Sequence, residues 1–529
     1  MRKFVILLAA AAIATGIYAL VALREREEPA PQKTFTFNNG TEPETLDPAL
    51  MTGVPEHRIA IALFEGLVTY HPETLAPAPG VAESWDISED GLTYTFHLRE
   101  STWSNGVPIT ADDFLYSWRR ALEPETAAEY AYQLWYIKNA RAYTEGKLAD
   151  FSQVGVRVTD PHTLEVTLEQ PTPYFLGLVA FETFMPVPAE CIEQHGNRWT
   201  RPGNIVSNGP FVLTEWKPQA KIVMRKNPRY WDAAAVRLDA IVALPIANED
   251  TALSLYKTGG LDWLDSLPAP LIPQLKKHPD YHKAPYLGIY FYRFNCTRKP
   301  FDDPRVRRAF NLALDKAKLC RFVLHGEYEP ATVFVPPMLP PYESPEGLAY
   351  DPDRAAELLA EAGYPGGRGF PRITLVYNTS KRHEDIAVVA QEMWKEALGV
   401  DINLVNQEWK VYLQTTNRLD YDIARASWIG DYTDPNTFLD MFVTGGGNNR
   451  TGWSNERYDE LIRAAAETLD PARRNDLLKE AEDILVNQEL PIMPVFFYAN
   501  LSLLRPRVKG FHQNARNLHP FKNLDVVRP

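Results

Sequence analysis

The sequence predicts a mixed α/β protein built from two or three packed units, and three observations carry that expectation. At 529 residues the chain exceeds what one hydrophobic core supports. Period-two stretches recur as TFTF from Thr34, LTYTFHL from Leu92 to Leu98 and LEVTL from Leu164 to Leu168, and each reads as a strand. Between and beyond them, capping residues followed by apolar positions at helical spacing read as helices.

The N-terminus opens with Met1-Arg2-Lys3, an apolar run from Phe4 to Leu23, the charged Arg24-Glu25-Arg26-Glu27 and a Pro-rich stretch to Gln32. Residues 1–32 are expected to be an export signal or an inner-membrane anchor with its linker, since about 20 apolar residues also suffice to span a bilayer. Either reading places the body outside the cytoplasm. The strand from Thr34 turns at Asn38-Asn39-Gly40. Thr110 with Asp113 has capping-box spacing, and Phe114, Leu115 and Trp118 supply an apolar face. Asp351-Pro352 and Asp470-Pro471 each set a capping acid before a proline suited to a first helical turn. The first of these helices is expected to stop at Gly363, and the second carries Leu477, Leu478, Ala481, Ile484 and Leu485 on a core stripe.

Composition excludes several classes of function. Hydrophobic residues at 45% and charged residues at 23% are those of a globular protein. A formal charge of -13 disfavours nucleic acid, whose binding needs a positive field. Cys191, Cys296 and Cys320 form no CxxC; a Cys296–Cys320 bridge and three buried thiols both remain open. There is no GxSxG, no GxxxxGK[ST], no GxGxxG and no HExxH, and His383-Glu384 lacks the second histidine of a metal pair. No catalysis, metal or cofactor is expected.

What carries function is a stretch from Arg425 to Asp440, RASWIGDYTDPNTFLD, which sets an arginine, an aromatic platform and acids in one apolar neighbourhood. Together with NNGTEPETLDPAL, GVPEHRIAIALFEGL, YTFHLRESTWSNGVPITADDFLYSW, RPGNIVSNGPF, PFDDPRVRRAFNLALDK and VNQEWKVYL, in this order, it resembles the bacterial oligopeptide-binding proteins of extracellular solute-binding family 5. The resemblance implies a type II periplasmic-binding-protein-like clamp of two lobes with an extra small domain. Residues 33–64, 189–287 and 499–529 would form lobe I, 65–188 the accessory domain and 288–498 lobe II. It implies a monomeric receptor that captures short peptides and hands them to the permease subunits of an ABC importer. Receptors for dipeptides or murein peptides share the fold, and a secreted peptidase is disfavoured by the missing motifs.

Residue by residue, the resemblance assigns the peptide ammonium to Asp431 and main-chain pairing to Gly53 and Val54 on one lobe and Ser427, Trp428 and Ile429 on the other. Tyr130 would help hold the ligand backbone. Arg425 and His383 would receive the carboxylates of ligands of different length, and Tyr286, Trp409 and Trp428 would wall the pockets. Three departures stand out: Gly288 and Ile429 replace a disulfide pair, Leu324 replaces a lysine, and Arg293 stands where a relative has an acid.

Overall fold

The computed structural model describes residues 33–468 and 470–527, so the expected leader lies outside the described residues. β1 (Thr34–Asn38) forms as its alternation requires, with Phe35 and Phe37 fully buried. α1 (Val54–Leu63) starts behind extended Gly53, with Pro55 in its first turn. β2 (Ala82–Ile87), β3 (Thr93–Leu98), β4 (Val156–Asp160) and β5 (Thr163–Thr167) make a four-stranded antiparallel sheet in the order β2-β3-β5-β4. α2 (Ala111–Leu122) lies between β3 and β4, and its capping box is present: the Asp113 carboxylate accepts the Thr110 N–H at 2.8 Å. Phe96, Phe114 and Trp118 of this region share one core with Phe35 and Phe37.

A larger sheet organises the rest. Its first half holds β1 with β6 (Phe211–Lys217), β7 (Lys221–Lys226), β8 (Ala240–Leu244) and β9 (Trp263–Leu264). The long β10 (Tyr281–Phe294) leads away from it. Beyond come α3 (Pro352–Glu361), β11 (Ile373–Asn378), α4 (Lys381–Leu398), β12 (Ile402–Gln407), α5 (Trp409–Asn417), β13 (Ile423–Ile429), α6 (Pro471–Asp483) and β14 (Ile492–Leu504). The strand order is β12-β11-β13-β10-β14-β9-β1-β8-β7-β6, so the two longest strands, β10 and β14, join the halves. Their antiparallel ladder shifts register between Pro285 and Ile289, an irregularity of the kind that bends and twists a ribbon.

The predicted caps form as read. Asp351 accepts from Arg354 N–H at 3.0 Å and Asp470 from Arg473 N–H at 2.7 Å, and Gly363 takes φ +100° just past α3. The stripe from Leu477 to Leu485 is buried, although α6 ends at Asp483 and Ile484–Gln488 continue as a π-helical turn. Cys296 and Cys320 are not bridged; all three cysteines are free thiols. Among the described residues no helix is long and apolar enough to cross a membrane, and no group of His, Cys, Asp or Glu is arranged to hold a metal ion.

Candidate functional site

Topology places the site. β11 is parallel to both β12 and β13 and lies between them, so the connection through α4 runs to one side and the connection through α5 returns to the other. Such a switch point opens a crevice outside the carboxyl ends of the strands. β11 pairs with β13 only at Leu375–Ile423 and Val376–Ala424, whereas β10 pairs with β13 along its whole length. From Arg425 to Ile429 one edge of β13 therefore carries no strand. In the other half β1 is likewise parallel to both its neighbours, β8 and β9, and residues just past its carboxyl end face the same space.

Between the two sets of strand ends lies a cavity of about 370 Å³, and all eleven residues singled out from the sequence line it. Gly53 and Val54 come from the start of α1. A side chain at Gly53 would collide with Glu56 and lie 2.9 Å from the Trp409 ring, so the close approach of the two halves demands glycine there. Trp409 opens α5, and its indole N–H donates to Glu56 across the cavity at 3.3 Å. Burial pushes the Glu56 carboxyl up to about 7. Tyr130 stacks on Trp428 with ring centroids 6.0 Å apart, and Tyr286 packs against Tyr498 at 5.9 Å. Ser427, Trp428 and Ile429 form the free edge, and Gly288 stands directly opposite Ile429 in the ladder.

Charge within the cavity falls into two groups. Arg58 pairs with Asp265, His57 with Glu182 at 2.6 Å, Arg382 with Glu249 at 3.1 Å and Arg450 with Glu129. Asp431, Arg425, Arg293 and Arg516 have no such partner among the described residues. The Asp431 carboxylate accepts one hydrogen bond, from the Gln133 amide at 2.8 Å, while its backbone N–H donates to the Thr437 hydroxyl at 2.9 Å. Burial holds its pKa well above the carboxylate range; Arg516, against the Tyr70 ring, pulls it down only in part. Arg425 donates to Asn378 at 3.2 Å and to the Tyr498 hydroxyl at 2.9 Å, and its guanidinium lies 4.9 Å from the Tyr290 ring centroid.

His383 sits in the first turn of the 18-residue α4, where the helix dipole and free N–H groups favour an anion. It is not a cation in this cavity. Burial, then Arg425 and Arg382, hold the imidazole well below its usual range, so it offers a neutral ring whose Nδ1 is unpartnered. Sequence reasoning missed Gln133, Tyr498 and Glu56, which hold Asp431, Arg425 and Trp409. No local signal marks them, since each is joined to its partner over at least 73 residues of chain.

The profile of the bacterial extracellular solute-binding proteins, family 5 (middle region), matches residues 76–450. The chain is 39% identical over 512 residues to a periplasmic oligopeptide-binding protein of Escherichia coli, covering 94% of this chain and 92% of that one. The Haemophilus influenzae oligopeptide-binding protein solved with the peptide RPPGFSPFR superposes with a TM-score of 0.90 at 34% identity, covering 94% and 99% of the two chains. The Escherichia coli murein tripeptide binding protein superposes with a TM-score of 0.91 at 35% identity over 94% and 99%, whereas a murein tripeptide binding protein in its unliganded open form, 36% identical over 94% and 98%, reaches only 0.63. The arrangement described here is thus much nearer the peptide-complexed relative than the open form. By profile, identity and fold, the chain belongs to the bacterial extracellular solute-binding proteins, family 5.

Proposed function

We propose that this protein is an extracytoplasmic receptor that seals a short peptide between two lobes and delivers it to an ABC importer, without catalysing a reaction. One observation carries the reading: the cavity has an unpaired carboxylate, Asp431, just past one end of a free strand edge and an unpaired guanidinium, Arg425, at the other end. A zwitterion of extended backbone complements both. Its ammonium would meet Asp431, its carboxylate would meet Arg425 or, in a longer ligand, the α4 N-terminus with His383, and its main chain would pair with Ser427 to Ile429 and with Gly53-Val54. Main-chain pairing is indifferent to side chains, which suits a receptor for many sequences. A cavity of about 370 Å³ falls within the range of small-ligand sites, about 300–1,000 Å³.

The lobes in this reading are the segments 33–64, 189–287 and 499–529, and 288–498, with 65–188 packed on the first. The name of the Escherichia coli relative, a periplasmic oligopeptide-binding protein, supports the periplasm as the place of action. Calorimetric titration with a tripeptide, its N-acetyl form and its C-terminal amide tests the assignment. Micromolar or tighter binding of the free peptide, with large losses for both blocked forms, is expected; equal binding of the N-acetyl form would overturn the polarity.

A further inference from the structure

Arg293 is a cavity charge that the peptide termini do not use. Only 4% exposed, it lines the cavity from β10, yet it makes no side-chain hydrogen bond and no ion pair among the described residues. Its Nε is buried without a partner, and its guanidinium carbon lies 5.5 Å from the Phe291 ring centroid. Glu129, the acid on this side of the cavity, is already taken by Arg450. Burial and then Arg450 push the Arg293 guanidinium down to about 10, the direction expected of a desolvated cation lacking a counter-ion.

Strand register separates this arginine from the one assigned to the peptide terminus. Arg293 stands opposite Ala424 and Phe291 opposite Ala426, while Arg425 stands opposite Tyr292. Side chains alternate between faces, so Arg293 and Arg425 project from opposite faces of the β10–β13 ladder. On the Arg293 face Ala424 is packed under Tyr412 and Leu413 of α5 and Ala426 sits with Phe291, and the guanidinium lies at the cavity wall that Trp409, Tyr412 and Leu413 line. A peptide paired to the free edge of β13 sends alternate side chains to that face.

We infer that Arg293 forms a side-chain pocket for a carboxylate, so that this receptor selects peptides bearing an acidic side chain at one position. The inference rests on the peptide-receptor reading and adds a substrate class to it. The chemistry is a charge-assisted, bidentate guanidinium–carboxylate contact in a site closed to water.

The test titrates Ala-Ala-Ala variants carrying Glu, Gln or Lys at each position in turn against the wild-type protein and against Arg293→Met and Arg293→Glu. Wild type should bind the Glu peptide about tenfold or more tighter than the Gln peptide at one position. That preference should vanish in Arg293→Met and turn towards Lys in Arg293→Glu. Tight binding of tripeptides with Glu and Gln equal at every position overturns the acidic pocket and leaves the receptor standing, and this comparison needs no variant. Loss on C-terminal amidation that disappears in Arg293→Met would show that the residue reads the main-chain carboxylate, which also overturns the pocket. Failure of every peptide to bind overturns both readings.

Discussion

At the scale of single residues, the question is what a buried charge does when its partner must come from outside. Asp431 is buried without an ion-pair partner, and burial outweighs the pull of Arg516, so its pKa lies above the ordinary carboxylate range; an arriving ammonium would pull it back down. Between those two values the carboxyl of the empty closed cavity holds a proton that the complex does not. Binding should therefore release a proton there, and affinity should rise with pH until the ligand-free group is ionised, then level off. Calorimetry in two buffers of different ionisation enthalpy measures the release, and Asp431→Asn should abolish it while weakening peptides by about 2–5 kcal/mol. In the proposed reading the cationic end reads length. With the ammonium fixed at Asp431, each added residue advances the carboxylate by about 3.3 Å. Arg425→Ala should weaken short peptides most and His383→Ala longer ones; equal losses from dipeptide to pentapeptide would show that neither residue reads length.

At the scale of elements, the site is the free half of one strand. β13 is held by β10 along Ile423–Ile429 but by β11 only at its first two residues, leaving backbone groups from Arg425 onward open to a ligand strand. If a peptide completes the sheet there, its own N–H groups matter more than most of its side chains. A tripeptide methylated on a central backbone nitrogen should lose about 1–3 kcal/mol of binding by calorimetry, since a buried acceptor is left unpaired. The cap of α6 lies far in function from this edge. Asp470→Ala should cost about 1 kcal/mol in urea unfolding, through the lost bond to Arg473 N–H, and leave peptide affinity unchanged.

At the scale of the molecule, charge balance and motion are one problem. The closed cavity confines the Arg425 guanidinium without an ion-pair partner and an Asp431 carboxyl that must either stay protonated or be ionised with only the partial help of Arg516, and an unpaired buried charge costs several kcal/mol. Closure without ligand is thereby opposed, whereas a zwitterion neutralises both ends and lets contacts such as Trp409–Glu56 and Tyr130–Trp428 form across the cavity. The two long strands, with their register break near Pro285, are where the halves would turn. Small-angle scattering should show the radius of gyration falling when a tripeptide is added. In Asp431→Asn/Arg425→Met the ligand-free protein should already lie closer to the compact value; identical curves for both proteins, with and without peptide, would refute ligand-coupled closure.

The sequence by itself determined the local grammar of this protein: the TFTF strand, the capping box at Thr110, the Asp-Pro helix starts and the glycine stop at Gly363 all depend on neighbours a few residues apart. Motif order also marked the residues that line the cavity, because a site built from short runs such as ARASWIGD keeps its residues together along the chain. Which charges are satisfied was invisible, since Arg58 finds Asp265, Arg382 finds Glu249 and Arg450 finds Glu129 from segments more than a hundred residues away. The same holds for the neutral state of His383, which follows from Arg425, Arg382 and burial, and for the separation of Cys296 from Cys320. Only the tertiary structure decided that β11 leaves β13 after two residue pairs, and so created a strand edge with an acid beyond one end, an arginine at the other and a second, unclaimed arginine on its far face. Periodicity reports which face of an element is apolar, but pairing between distant strands sets which edge is open and which charge is left alone.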